Sequence, residues 1–333
     1  MKPALMKKVV CRIILLFFLF HTSSILNGQS VDIQKLNSPI LFKGDSVTAY
    51  RDPLALYEKG IIYLYFTLTE IEPDGKIYMY TAFSKSKDLI HWSPVKKITA
   101  KDQSLNYSSP GSIIRYHNEW VMCLQTYPRR NYTVEQMPKY GDENSRLFLM
   151  HSTDLEKWSA PEIVKVKGDS VDDKNMGRMI DPFLLQDQYI KNKWWMFYKQ
   201  NGASRSYSYD LKHWNYSGHV AAGENVCIIF RKDAYIMFHS PQNGIGIKTS
   251  KDLIEWKDED QVLTLGQKDW DWAKGRITAG YVLAIEKNEK NGFRYLLFFH
   301  GSGPKKETEG DFDKNASIGL AWSKDLESWE WLK

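Results

Sequence analysis

Along most of this chain, short apolar runs alternate with polar turns at the period of two that marks half-buried strands, as in Tyr63 and Tyr65 or Trp195 and Phe197. A unit of apolar strand, polar turn and aromatic strand occurs five times, at 53–67, 111–127, 182–200, 226–240 and 281–300. Its turns are Glu58-Lys59-Gly60, His117-Asn118-Glu119, Lys191-Asn192-Lys193, Arg231-Lys232-Asp233 and the segment 288–292. Each unit reads as a hairpin. Each is followed by the phrase Ser-x-Asp-Leu-x-x-Trp, at 86–92, 152–158, 208–214, 250–256 and 323–329. The spacing between the phrases is too uneven for a tight solenoid but suits blades of about 40 to 50 residues with variable loops.

Small antiparallel sheets with two apolar faces cannot stand alone, and radial stacking buries those faces while leaving only short edges. The pattern therefore predicts an all-β fold, a five-bladed β-propeller in a single domain. Within each blade the Asp-Leu pair is expected to form the turn into the outermost strand, with the Trp packed between blades. Five equivalent tryptophans cannot all line one pocket, so they read as packing residues. Trp270 and Trp272 lie outside the phrase and are better placed to meet a ligand.

Composition refines this picture at the N-terminus. Lys2, Lys7, Lys8 and Arg12 precede an apolar run at 13–20 and then small and polar residues. That is the layout of a secretory signal peptide at 1–28, too short for a membrane span. The expected mature unit is 29–333, exported to the periplasm or beyond, with no membrane anchor. Removing four basic and no acidic residues lowers the formal charge from +5 to +1. A near-neutral, aromatic-rich chain lacks the basic stripe of a nucleic-acid binder. Cys123 and Cys227 sit in apolar strand-like runs and are expected to be buried free thiols rather than a disulfide. No Cys/His cluster with zinc spacing occurs.

In a propeller the innermost strands converge on the axis, so residues at the blade starts face a shared cavity. Aligned, those starts read Arg51-Asp52-Pro53, Ser108-Ser109-Pro110, Ile180-Asp181-Pro182, Gly223-Glu224-Asn225 and Thr278-Ala279-Gly280. Three carry an acid. A single Asp-Pro is usually a turn, whereas three acids at repeated positions beside apolar strands need a use.

The order of Asp-Pro, a Pro-containing start, Ile-Asp-Pro-Phe and a Glu-containing start, with the Ser-x-Asp-Leu-x-x-Trp phrase between them, resembles the family 43 glycoside hydrolases over nearly all of 29–333. The resemblance implies Asp52 as general base, Asp181 as the residue that tunes and orients, and Glu224 as general acid. Inverting hydrolysis asks for a base and an acid about 6.5–9.5 Å apart, and a third carboxylate near the acid would raise its pKa. Two features depart from the family's pattern: Glu224-Asn225-Val226 where Gly and Pro usually follow the Glu, and Arg276 in place of a Gly-His start in the fifth blade. Arg276 would suit an acidic sugar or a structural salt bridge equally.

Arg51, Arg178, Arg276, His239, His300 and Gln200 are the further candidates for substrate binding, with Gln125 placed like Gln200 at a strand end. The segment 128–145 reads as a rim loop. The expected partner is an oligo- or polysaccharide, the expected state a monomer, and no cofactor is required. An axial calcium is compatible with such a fold, though the sequence offers no ligand set for it. The expected activity is exo-acting removal of a terminal arabinofuranose or xylose from plant or algal side chains. Competing readings are a non-catalytic carbohydrate-binding propeller, a family 32-like fructan hydrolase and a glycoside phosphorylase.

Overall fold

Every strand-like run of the sequence becomes a strand in the computed structural model, which describes residues 31–136, 140–285 and 292–333. The signal-peptide segment 1–28 and most of the turn at 288–292 lie outside the described residues. Four blades are four-stranded antiparallel sheets that run outward in chain order. Blade I comprises Thr48–Glu58, Ile61–Ile71, Ile77–Ser86 and Lys96–Lys97. Blade II comprises Ser108–Tyr116, Glu119–Gln125, Leu147–Ser152 and Glu162–Ile163. Blade III comprises Ile180–Gln186, Trp194–Lys199, Ala203–Ser208 and Asn215–Val220. Blade IV comprises Glu224–Arg231, Ala234–Ser240, Ile245–Ser250 and Lys257–Leu263.

Blade V closes the ring in a way the repeats did not show. Its strands Arg276–Ala284, Tyr295–Ser302 and Ser317–Ser323 are joined by Ile40–Phe42 from the N-terminal side and Trp329–Trp331 from the C-terminal end. Both short strands pair with Ser317–Ser323, Ile40 opposite Gly319 and Trp329 opposite Ser323. The two ends of the chain thus share one blade, which ties the first blade to the last.

The repeated phrase folds as expected. In the first copy Ser86 Oγ accepts the amides of Asp88 and Leu89, and Asp88 Oδ1 accepts those of Ile90 and His91. The Leu is left-handed in all five copies, with φ from 60° to 73°. Trp92, Trp214 and Trp256 then donate their indole N–H to the carbonyl of the Leu three residues back.

The tryptophans staple neighbouring blades. Trp92 meets Phe42 of blade V, Trp158 meets Tyr65 of blade I, Trp256 meets Phe197 of blade III, and Trp329 meets Phe238 of blade IV, with centroids 5.1–6.3 Å apart and edge-on. Such edge contacts contribute about 0.5–1.5 kcal/mol beyond area burial. Cys123 holds the corresponding strand position of blade II, and the Trp214 that packs in its cluster is buried. Cys123 and Cys227 are buried free thiols.

Candidate active site

One backbone device recurs at every blade start. The register slips between Arg51 and Leu54, Ser108 and Ser112, Ile180 and Phe183, Glu224 and Cys227, and Thr278 and Tyr281. In each slip one non-glycine residue is left-handed: Asp52, Ser109, Asp181, Asn225 and Ala279, with φ of 46°, 46°, 51°, 49° and 52°. That conformation costs roughly 1–2 kcal/mol for a residue with a Cβ. It occurs at Ala279 as well as at the acids, so the bulge belongs to the fold, and the chemistry is mounted on it. A bulge re-aims side chains. Here both neighbours at a blade start, such as Arg51 and Asp52 or Glu224 and Asn225, line the same axial cavity.

The bulge corrects the alignment of the acids. Asp52 and Asp181 occupy the left-handed position, where blade IV has Asn225; Glu224 is one residue earlier and corresponds to Arg51, Ser108, Ile180 and Thr278. Sequence alignment on the acid itself placed Glu224 one position too late.

Amides of the bulges are held by the preceding blade. Thr67 Oγ1 accepts from Ser109 N at 2.7 Å, Gln125 Oε1 from Asp181 N at 2.5 Å, Ser240 Oγ from Ala279 N at 2.7 Å, and His300 Nδ1 from Asp52 N at 3.1 Å. These four acceptors share one register position in their second strands. Lys199 holds it in blade III and has no acceptor atom to offer. Because Nδ1 of His300 accepts, its proton is on Nε2, which faces Glu307 Oε1 at 3.4 Å. Burial, then the nearby Arg51, lowers the His300 pKa and keeps the ring neutral.

The cavity at the axis has a volume of about 240 Å³. Asp52, Asp181, Glu224, Arg51, Arg178, Arg276 and His300 all line it, together with Gln125. Thr67 Oγ1 donates to Asp52 Oδ2 at 2.9 Å, and Asn225 Nδ2 reaches Asp52 Oδ1 at 3.4 Å. Ser109 Oγ donates to Asp181 Oδ1 at 2.7 Å. Arg178 Nε is fixed to the carbonyl of Gly141 in the rim loop at 3.0 Å.

His239 and Gln200 are absent from this wall, and both corrections have one cause. His239 precedes the register position of His300 by one residue, and Gln200 follows that of Gln125 by one. A one-residue offset turns a strand side chain to the other face. His239 Nδ1 accepts the amide of Gly223, and burial lowers its pKa to about 4. Gln200 Nε2 donates to the carbonyls of Met176 and Arg178. Both brace loops beside the site. Trp270 and Trp272 are also placed in packing rather than in the pocket, stacked at 5.2 Å on one another and at about 6 Å on Phe299.

Glu307 is the site residue that the sequence reading missed. It opens the short 3-10 turn Glu307–Glu309 in the long loop between the second and third strands of blade V. Set in the charged run Lys305-Lys306-Glu307-Thr308-Glu309, it looked like solvated surface; the only signal was that loop's length. The side chain is buried and receives Arg51 Nη1 at 3.0 Å, Arg276 Nη1 at 2.8 Å and Ser302 Oγ at 2.9 Å. Burial opposes its charge, but Arg51, His300 and Arg276 outweigh burial and hold the pKa well below the usual range. Arg276 Nη2 donates to Glu224 Oε1 at 2.7 Å, so Arg51, Glu307, Arg276 and Glu224 form an alternating chain.

Asp181 is the buried acid of the three. Burial first, then the charges of Glu224 and Asp52, raise its pKa to about 7. Below about pH 7 its carboxyl is thus largely protonated. Aromatic surface from Tyr127, Tyr140 and Phe312 with Met79 completes the wall. Such a mix of apolar faces and fixed polar groups suits a polyhydroxylated ring. No cluster of three or more His, Cys, Asp or Glu side chains fit to hold a metal occurs among the described residues.

The chain matches no protein-family model and no curated protein. Solved structures do resemble it. An exo-1,5-α-L-arabinanase from a bovine ruminal metagenomic library aligns over 84% of this chain and 95% of its own, with TM-score 0.57 and 16% identity. A thermostable family 43 glycoside hydrolase aligns over 84% and 90%, with TM-score 0.54 and 14% identity. The catalytic domain of a family 62 α-L-arabinofuranosidase from Coprinopsis cinerea aligns over 86% and 98%, with TM-score 0.59 and 12% identity. The chain thus shares the five-bladed propeller of family 43 and family 62 glycoside hydrolases.

Proposed function

We propose that this protein is an exported glycoside hydrolase that removes a terminal pentose, arabinofuranosyl or xylosyl, from plant or algal polysaccharide side chains with inversion. The observation that carries the proposal is the convergence of Asp52, Asp181 and Glu224 from three blades on one axial cavity. Asp52 is the base: Thr67 and Asn225 fix its oxygens, and the bulge fixes its backbone. Glu224 is the acid: freed of Arg276, its carboxyl carries the proton that it gives to the leaving oxygen while Asp52 takes one from the attacking water. Asp181 tunes the set: its carboxyl interacts with both Glu224 and Asp52, and when ionised it favours a proton on its neighbours by like-charge repulsion.

The pentose assignment follows the arabinan- and arabinofuranoside-active proteins whose fold the chain shares. Exo action fits the cavity, whose volume is below the roughly 300–1,000 Å³ of sites for larger ligands and suits one sugar ring. Export follows the basic and apolar segment at the start of the chain, and the protein acts as a monomer without a membrane anchor. Among the described residues no helix is long and apolar enough to cross a membrane.

One observation favours a second reading. Arg276 already occupies Glu224, which a non-catalytic sugar-binding propeller would tolerate and an acid catalyst must relieve. Assay of the purified protein on aryl α-L-arabinofuranosides, aryl β-D-xylosides and arabino-oligosaccharides separates the two. Turnover that disappears in Glu224→Gln supports the hydrolase, and binding without turnover supports the binder.

A further inference from the structure

A second, larger depression of about 750 Å³ adjoins the axial cavity, and Tyr140, Arg276 and Glu307 line both. The shared wall gives a substrate seated in the axial cavity a route into it. Its chemistry differs from that of the axial cavity. Lys268, Lys274 and Lys306 line it with Arg276, whereas its only carboxylate among the described residues is the buried Glu307, already bonded to Arg51 and Arg276.

The lysine heads are available to a ligand. Lys274 reaches Asp271 at 3.2 Å and Lys306 reaches Glu309 at 3.9 Å, both at exposed positions. Such exposed pairs contribute about 0–1 kcal/mol and yield to a better-placed anion. The wall behind them is fixed: Asn243 and Gln267 exchange side-chain hydrogen bonds at 2.9 and 3.0 Å. Asn243 Oδ1 also accepts the amide of Ile277, and Gln267 Nε2 donates to the carbonyl of Ala273.

The geometry points to a leaving-group subsite for an acidic sugar, a hexuronate whose carboxylate is held by Lys268, Lys274 and Lys306. This inference rests on the glycosidase reading and deepens it. A carboxylate arriving beside Arg276 also competes with Glu224 for the same guanidinium, so an acidic leaving group weakens the pairing of the acid more than a neutral one does. Inorganic phosphate offers the same negative charge without the sugar, and the test distinguishes the two.

The test is calorimetric binding at low salt to Asp52→Asn protein, which avoids turnover. The probes are trigalacturonate, its carboxyl-reduced neutral trisaccharide and inorganic phosphate. The subsite predicts trigalacturonate binding about tenfold tighter than the neutral trisaccharide, a gap of about 1.4 kcal/mol. The preference should shrink as salt screens the lysines. It should vanish in Lys268→Ala/Lys306→Ala on the same background and persist in Lys268→Arg/Lys306→Arg. Equal binding of the two trisaccharides, a preference untouched by the alanine changes, or phosphate competing as well as trigalacturonate would each overturn the inference. Because binding alone is read out, the subsite stands or falls separately from hydrolysis: loss of the preference removes the subsite, whereas absence of turnover in wild type removes the glycosidase reading.

Discussion

Arg276 donates from Nη2 to Glu224 Oε1 at 2.7 Å and from Nη1 to Glu307 Oε2 at 2.8 Å, joining the start of blade IV to the loop of blade V through one planar fork. Four carboxyl groups and three guanidiniums line the cavity. One excess negative charge remains, and burial together with the charges of Glu224 and Asp52 raises the pKa of Asp181. Removing the fork leaves Glu307 buried with Arg51 as its sole strong cation. Breaking a buried pair costs about 3–5 kcal/mol. Arg276→Met should therefore lower the unfolding free energy measured in urea by that order, with Arg276→Lys recovering part of the loss because a single ammonium cannot span both carboxylates as a fork does. An unchanged midpoint in Arg276→Met would show that the network does not stabilise the fold.

Asp181 predicts a pH dependence of stability. Its pKa is raised from 3.8 to about 7 in the folded chain, so between those values the native state holds a proton that the unfolded state has lost. The contribution of Asp181 to stability is greatest below the unfolded pKa, falls as pH rises through that window and levels off above about 7. Asp181→Asn keeps an acceptor for Ser109 and cannot ionise. Its denaturation midpoint should rise relative to wild type above pH 7, and its slope across pH 4–7 should flatten. A wild type more stable at pH 7 than at pH 5, with the variant parallel to it, would contradict the assignment.

Gly111 tests the close approach of blades II and III. A Cβ on this residue would lie 1.5 Å from the carbonyl oxygen of Pro182, which backbone rather than a flexible side chain supplies. Gly111→Ala must therefore push two inner strands apart just beside Asp181. A loss of at least about 3 kcal/mol, at the upper end for overpacking, is expected by chemical denaturation. Near-wild-type stability would mean that the two blades have room to spare at this point.

Thr67 tests how the base is held. Its hydroxyl donates to Asp52 and accepts from Ser109 N, bridging blades I and II. Thr67→Val keeps the shape and leaves a buried amide without its acceptor, which costs about 1–3 kcal/mol. Hydrolysis should fall in kcat more than KM changes, because Asp52 loses its orientation rather than the substrate its contacts. Thr67→Ser should restore both quantities, and a valine variant with wild-type kcat would mean that Thr67 does not position the base.

The fold was legible because it is written five times: the Ser-x-Asp-Leu-x-x-Trp phrase carries its own turn chemistry, and the aromatic strands carry their own periodicity. What the repeats could not show was how the ring closes, since Ile40–Phe42 is far in sequence from the blade it completes. Site residues were legible where chemistry and register coincided, as at Asp52, Asp181 and His300. They were misread where a single residue of offset decided the face, as at His239 and Gln200. Glu224 reached the cavity because the bulge presents two successive side chains to it. Glu307 stayed hidden because burial of a loop glutamate depends on Arg51 and Arg276, both distant in sequence.

The most direct test of the central claim is proton NMR of the sugar first released by the purified chain from an aryl α-L-arabinofuranoside or β-D-xyloside, alongside Asp52→Asn and Glu224→Gln. The proposed mechanism predicts release of the inverted anomer by wild type. It also predicts a loss of about 10²–10⁴-fold in kcat when either carboxyl group is neutralised, with sugar binding retained. Release of the retained anomer, or turnover undiminished in both variants, would contradict it.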